Sequence, residues 1–228
     1  MIISHKYKFI FLKTRKTAGT SIEIALSRFC EEKDIITHIS AKDEPIREEL
    51  GSLSPQNYYV PLARYTLKDW QRLIIRRRRK KFYNHIPALQ VQQYLERNTW
   101  DNYFKFCFER NPWDKAISLY YWQTRNQEST PSLTEHLKSI DIDRLSNFHI
   151  YSINEKIAVD HVGLYENLEN ELEKIAERLK LPEKLILPKA KGDARKNRQH
   201  YRDIMDEETR YLVEKVCAKE ISYFGYRY

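Results

Sequence analysis

Three short apolar runs, each closed by a polar turn and followed by helical sequence, organise the chain; they cover 8–12, 105–109 and 159–164. A strand that passes through a turn into a helix and then into another strand is the unit of a parallel sheet, whose neighbours need a long crossover connection. Helical periodicity marks 67–80, 88–97, 112–125, 167–179 and 207–220. Between the first two runs, 37–65 carries Pro45, Gly51, Pro55 and Pro61 without a sustained period, so a loop-rich insertion is expected there, extending to about 87. No internal repeat is present. The order predicts an α/β fold, a three-layer sandwich with a central parallel sheet, built as a single domain over 1–228.

The turn after the first run is Lys13-Thr14-Arg15-Lys16-Thr17-Ala18-Gly19-Thr20-Ser21, basic and rich in hydroxyls, with a helix starting near Ile22. At the open end of a helix the N–H groups point outward and the dipole is positive, so an oxyanion settles on Gly19, Thr20 and Ser21. Lys16 adds a mobile charge. Gly19 is expected to permit a special backbone geometry and a close approach, and Thr17, Thr20 and Ser21 to supply hydroxyl donors. A plain N-terminal cap by Thr20 or Ser21 explains the same residues equally well. The G-x-x-x-x-G-K-[ST] spacing of a nucleoside triphosphatase loop is absent.

A second strand, turn and helix follows the same plan over 104–122, with Arg110-Asn111-Pro112 at the turn. Asn111 suits the cap and Pro112 the first helical turn. Ser118 lies about two helical turns beyond Arg110, so the two can converge on one ligand group. With both segments the chain resembles the sulfotransferases that use 3′-phosphoadenosine 5′-phosphosulfate (PAPS). Asn84-His85-Ile86-Pro87-Ala88 resembles that family's N-H-x-x-A segment, 159–168 its later strand-turn-helix element, and 201–228 its closing helix and tail, so the likeness spans most of the chain. The departures are Arg15, where many relatives carry proline, and the basic run before His85.

The resemblance implies a P-loop NTPase-like sulfotransferase fold and a PAPS-dependent enzyme. It places the 5′-phosphosulfate on Arg15, Lys16, Thr17, Ala18, Gly19, Thr20 and Ser21, and the 3′-phosphate on Arg110 and Ser118. It also matches a basic loop containing Arg195, Lys196 and Arg198 to a position over the nucleotide; an exposed charged loop is the alternative. Tyr165 is a candidate to stack on the adenine, with core packing as the competing role. In-line sulfuryl transfer needs a base on one side and charge stabilisation on the other. Lys16 is assigned to the leaving group and His85 to the base, because imidazole titrates near neutral pH. Glu44 and Glu48 stay open as acidic bases, and Arg47 as an acceptor or phosphosulfate contact.

Composition narrows the partners. A chain of 228 residues suits one core better than two. The formal charge is +8, concentrated in 76–81 and 189–202. If the first cluster borders the acceptor side, it favours an anionic glycan or glycolipid, and the aromatic content fits a carbohydrate or a phenol. No apolar run is long enough to cross a bilayer and no signal-peptide core follows Met1, so a cytoplasmic location without a membrane span is expected. Cys30, Cys107 and Cys217 lack metal-ligand spacing and are expected as buried thiols. No metal is called for. Two readings from other classes remain: a kinase-like phosphotransferase, for which Asp160 is the metal-organising candidate, and a noncatalytic polyanion- or RNA-binding module on the 76–81 face.

Overall fold

Alternation along a few short strands builds two cores back to back. The computed structural model describes residues 1–188 and 199–228. Its strands are β1 (Ile2–Ser4), β2 (Phe9–Phe11), β3 (Ile35–Ile36), β4 (Phe104–Glu109), β5 (Ser152–Ile153), β6 (Lys156–Ile157) and β7 (His161–Leu164). The helices are α1 (Gly19–Ser27), α2 (Glu44–Glu49), α3 (Leu67–Arg76), α4 (Ala88–Tyr94), α5 (Arg97–Asn102), α6 (Pro112–Thr124), α7 (Leu133–Ser139), α8 (Phe148–Tyr151), α9 (Leu168–Leu179), α10 (Tyr201–Ile204), α11 (Glu207–Val216) and α12 (Ala218–Phe224).

The central sheet runs β3-β1-β2-β4-β7, with β5 and β6 forming a separate hairpin. The β2–β4 and β4–β7 pairs are parallel, in the register Phe11 opposite Phe106 and Cys107 opposite Val162. The expected parallel sheet is thus only mostly parallel: β1 runs antiparallel to both β2 and β3. The cause is local, since the short turn between Ser4 and Phe9 can only reverse the chain.

Because successive side chains point to opposite faces, Ile2, Phe9, Phe11, Phe106 and Phe108 share one face, packed under Ile22 and Leu26 of α1 and Leu172, Ile175 and Leu179 of α9. Ile3, Ile10, Leu12 and Cys107 share the other, under Val91 and Tyr94 of α4, Trp100 of α5 and Phe148 and Tyr151 of α8. The architecture is therefore α/β, a mostly parallel sheet with helices on both faces. A third apolar cluster, around Trp113, Leu137, Val213 and Cys217, joins α6, α7 and α11 beside the sheet. All three cysteines are free and buried, and burial pushes the Cys107 thiol well up.

Several boundaries differ from the sequence reading. The 37–65 insertion contains α2, whose Arg47 is completely buried. The helix expected over 67–80 stops at Arg76, because Arg77 turns left-handed (φ 50°). The one expected over 88–97 divides into α4 and α5, and the one over 207–220 breaks at Cys217.

Gly163 of β7 makes the packing testable. A Cβ there would lie 2.7 and 2.9 Å from two ring carbons of Phe108 and 3.3 Å from Cβ of Glu171. Phe108 is completely buried and has no room to withdraw. Gly163→Ala is expected to cost about 1–3 kcal/mol through overpacking, read from urea unfolding; an unchanged midpoint would contradict this packing.

Candidate active site

The parallel strands β2, β4 and β7 end at Phe11, Glu109 and Leu164. Their shared C-terminal edge therefore carries the 13–21 loop, Arg110 and Tyr165. In open α/β sheets this edge is where ligands bind. Asp160 precedes β7 at the opposite edge, where it accepts from the Lys105 N–H (2.7 Å) and pairs with Lys105 Nζ (3.0 Å). It is in no position to organise a metal beside the loop, which removes the residue on which the phosphotransferase alternative rested.

The loop keeps the close approach expected at Gly19 but not the special backbone. Positive φ falls on Lys16 (63°) and Ala18 (57°), while Gly19 has ordinary helical backbone. Gly19 is needed for proximity: a Cβ would meet Lys13 Cγ at 2.8 Å and the Thr14 carbonyl at 3.3 Å. Ala18 stands at the cap position of α1, and no side chain caps the helix. Thr20 and Ser21 lie inside the first turn, so the simple capping explanation fails. The Thr17 hydroxyl is turned inward, 2.8 Å from that of Thr14, which in turn donates to the Phe108 carbonyl. Thr17 thus fastens the loop to β4.

Arg110 connects the two strand-to-helix junctions. Its Nη1 donates to the Lys16 carbonyl at 3.1 Å, while Nε and Nη2 both donate to Oδ2 of Asp114, Nε at 2.8 Å. Its guanidinium lies 4.2 Å from the centroid of the Tyr165 ring, so one face of that ring is covered by a cation. Asn111 caps α6 by accepting from the N–H groups of Trp113 and Asp114 (3.1 and 3.2 Å). Ser118 follows Asp114 by four residues and shares its helix face. Lys16 Nζ lies 5.3 Å over the Trp122 ring, also on α6. Lys16, Arg110, Tyr165 and the α6 face bearing Ser118 are thus brought together. Arg195, Lys196 and Arg198 lie outside the described residues.

His85 sits before α4 with φ 60°, and its Nδ1 is 3.0 Å from the Lys13 carbonyl. A carbonyl only accepts, so Nδ1 carries the proton and Nε2 keeps its lone pair. Burial, then the Lys13 ammonium, pushes the imidazole pKa down to about 3. It is therefore neutral at physiological pH. Of the other open candidates, Arg47 and Glu44 are occupied elsewhere, and Glu48 stands exposed on α2. Arg47 pairs with Glu44 (3.2 Å) and Glu23 (3.6 Å), which makes it a buried brace rather than a ligand contact. Glu44 also accepts from the Ile39 N–H.

Sequence reasoning missed the buried polar groups beneath the loop. Asn147 clasps Arg15 from both sides, accepting from its N–H at 2.9 Å and donating to its carbonyl at 3.1 Å. Asn147 also donates to Glu109, which takes Lys115 Nζ (2.9 Å), the Arg110 N–H (2.9 Å) and the Tyr151 hydroxyl (3.1 Å). Lys13 pairs with Glu23 of α1 at 2.9 Å. Only Glu109 left a trace in the sequence, as a carboxylate ending an apolar strand. The basic run is also partly committed: Arg79 lies 4.4 Å over Tyr59, and Lys81 4.8 Å over the same ring.

Two outcomes follow from these contacts. Asn147→Ala strips the Arg15 N–H and one side of Glu109 of buried partners, and should lower unfolding free energy by about 1–3 kcal/mol, seen as an earlier denaturant midpoint. His85 takes up a proton below about pH 6.5 when unfolded but only near pH 3 when folded. Its contribution to stability is complete above the higher value and is lost as pH falls toward the lower one. His85→Gln should therefore flatten the decline in stability below about pH 6.5 relative to wild type, measured by urea unfolding across pH.

The chain matches the sulfotransferase family over residues 1–227. It is also 38% identical over 104 residues to an uncharacterised protein of Archaeoglobus fulgidus, an alignment covering 44% of this chain and 87% of that one. No solved structure matches it. A match running from the first strand to the closing tail takes in both strand-to-helix junctions that Arg110 joins, and the chain belongs to the sulfotransferase family.

Proposed function

We propose that this sulfotransferase takes its sulfuryl group from PAPS, on a P-loop-like scaffold, and passes it to a hydroxyl of a carbohydrate or glycoconjugate in the cytoplasm. The observation that carries the donor assignment is the reach of Arg110 to the Lys16 carbonyl, 3.1 Å. Two cationic strand-to-helix junctions so joined suit a nucleotide carrying two separate phosphate groups. The uncapped first turn of α1 suits the 5′-phosphosulfate. Arg110 and Ser118 suit the 3′-phosphate, for which the guanidinium exchanges Asp114. Tyr165, backed by that guanidinium, offers its other face to the base.

In the reaction, the acceptor oxygen bonds to sulfur as the bond from sulfur to the 5′-phosphate oxygen breaks. The electron pair stays on that phosphate, and Lys16 follows the growing negative charge. The acceptor proton goes to Nε2 of His85, whose Nδ1–H stays on the Lys13 carbonyl. Burial is the larger cause of the pKa near 3, with Lys13 and then Arg15 adding to it; a bound anionic donor offsets those cations and moves the His85 pKa upward. A cleft of about 550 Å³ lined by Pro87, Phe148 and His149, the last of which is 3.4 Å from Arg15, is our candidate for the acceptor.

Calorimetric titration tests the donor site. Adenosine 3′,5′-bisphosphate should bind without magnesium, and more tightly than adenosine 5′-monophosphate. Arg110→Ala should weaken it at least roughly tenfold, the weight of a charge-assisted hydrogen bond, and leave the monophosphate nearly unaffected. Equal affinity for the two nucleotides would refute the 3′-phosphate assignment.

A further inference from the structure

We propose that α3 and the arginines after it dock this protein on an anionic lipid surface. The helix is anchored by one side only. Thr66 and Asp69 form a reciprocal capping box, and Asp69, 6% exposed, also accepts from the Tyr94 hydroxyl at 3.1 Å and faces Lys80 Nζ at 3.8 Å. At about 100° per residue, the side opposite Asp69 is centred between Leu67 and Gln71. Leu67, Ile74 and Ile75 stand there 84, 74 and 77% exposed, with Trp70, resting on Tyr65, at their border. An amphipathic helix ordinarily turns this arc to the core; here it faces out.

Charge selects the occupant. Lys68 and Arg72 line one flank of the apolar arc, Arg76 follows on the Asp69 side at the helix end, and Arg77 and Arg78 continue past it, all exposed. None of them has an ion-pair partner among the described residues. A second copy of the chain would bring two such cationic flanks together, which repulsion opposes. A soluble polyanion satisfies the arginines and leaves the aliphatic side chains in water. A bilayer with acidic headgroups meets both: phosphates take the arginines while Leu67, Ile74 and Ile75 enter the acyl boundary. This surface is separate from the donor site, and the inference holds whichever nucleotide that site takes.

Flotation with vesicles tests it. The protein should partition onto vesicles of phosphatidylglycerol mixed with phosphatidylcholine at least tenfold more strongly than onto phosphatidylcholine alone, and salt should weaken the binding. A variant carrying Leu67→Ser, Ile74→Ser and Ile75→Ser should lose at least tenfold, and so should Arg72→Gln with Arg76→Gln, Arg77→Gln and Arg78→Gln, with unfolding midpoints unchanged because these side chains are exposed. Quenching of Trp70 by brominated acyl chains, absent in Trp70→Phe, would show the helix lying at the boundary. Full binding by the serine variant would reduce the face to a polyanion site and overturn the proposal. Preference for RNA or heparin over the vesicles, or a dimer that the serine variant abolishes, would overturn it as well.

Discussion

The carboxylate of Glu109, sealed at the end of the central strand, is the contact on which the site geometry depends. Four donors from the turn after β4, α6, α8 and the turn before α8 converge on it: the Arg110 N–H, Lys115 Nζ, the Tyr151 hydroxyl and the Asn147 amide. A buried carboxylate tolerates the loss of such partners poorly, since each exchange leaves charge or a donor stranded in a low-dielectric interior. Desolvation pushes the pKa of Glu109 up, and Lys115 acts against that shift. Asn147 transmits the arrangement outward, because the amide that satisfies Glu109 also holds both polar groups of the Arg15 backbone. The loop is therefore positioned by the core rather than by its own sequence. A second buried carboxylate, Glu23, does the same from below by fixing Lys13.

This arrangement separates structural cations from those at the ligand edge. Lys13, Arg47 and Lys115 are paired with carboxylates in the interior and contribute to shape. Arg15, Lys16 and Arg110 stand at the C-terminal edge of the parallel strands. Asp114 holds the Arg110 guanidinium by two hydrogen bonds to one carboxylate oxygen. On the function proposed above, an oxyanion that displaces this carboxylate would meet a guanidinium already aimed, with little side-chain freedom left to lose. The tautomer of His85 is fixed in the same way, by a carbonyl of the loop itself.

What the sequence disclosed was local. Phenylalanines alternating at 104, 106 and 108, an Asn-Pro start to α6 and a basic turn before α1 each carry their signal within a few residues, so the strands and helices around the site were legible. The three residues of β1 are too few to show a period, and the antiparallel strand was missed. Gly19 was picked out for a special backbone and a close approach; the close approach, to Lys13, holds, while the left-handed turns fall on Lys16 and Ala18. Asn147, 132 positions from the Arg15 it holds, has nothing nearby in sequence to mark it. Arg47 shows the converse: an arginine in a proline-rich insertion looks available, and only packing reveals it as an interior brace.

The central claim is that the two junctions joined by Arg110 receive the two phosphate groups of one nucleotide. A crystal structure with adenosine 3′,5′-bisphosphate tests it most directly. The 5′-phosphate should lie on the N–H groups of Gly19, Thr20 and Ser21 beside Lys16, and the 3′-phosphate on Arg110 and Ser118 with the Asp114 contact released. A nucleotide bound elsewhere, or a 3′-phosphate in solvent with the Arg110–Asp114 pair intact, would contradict it.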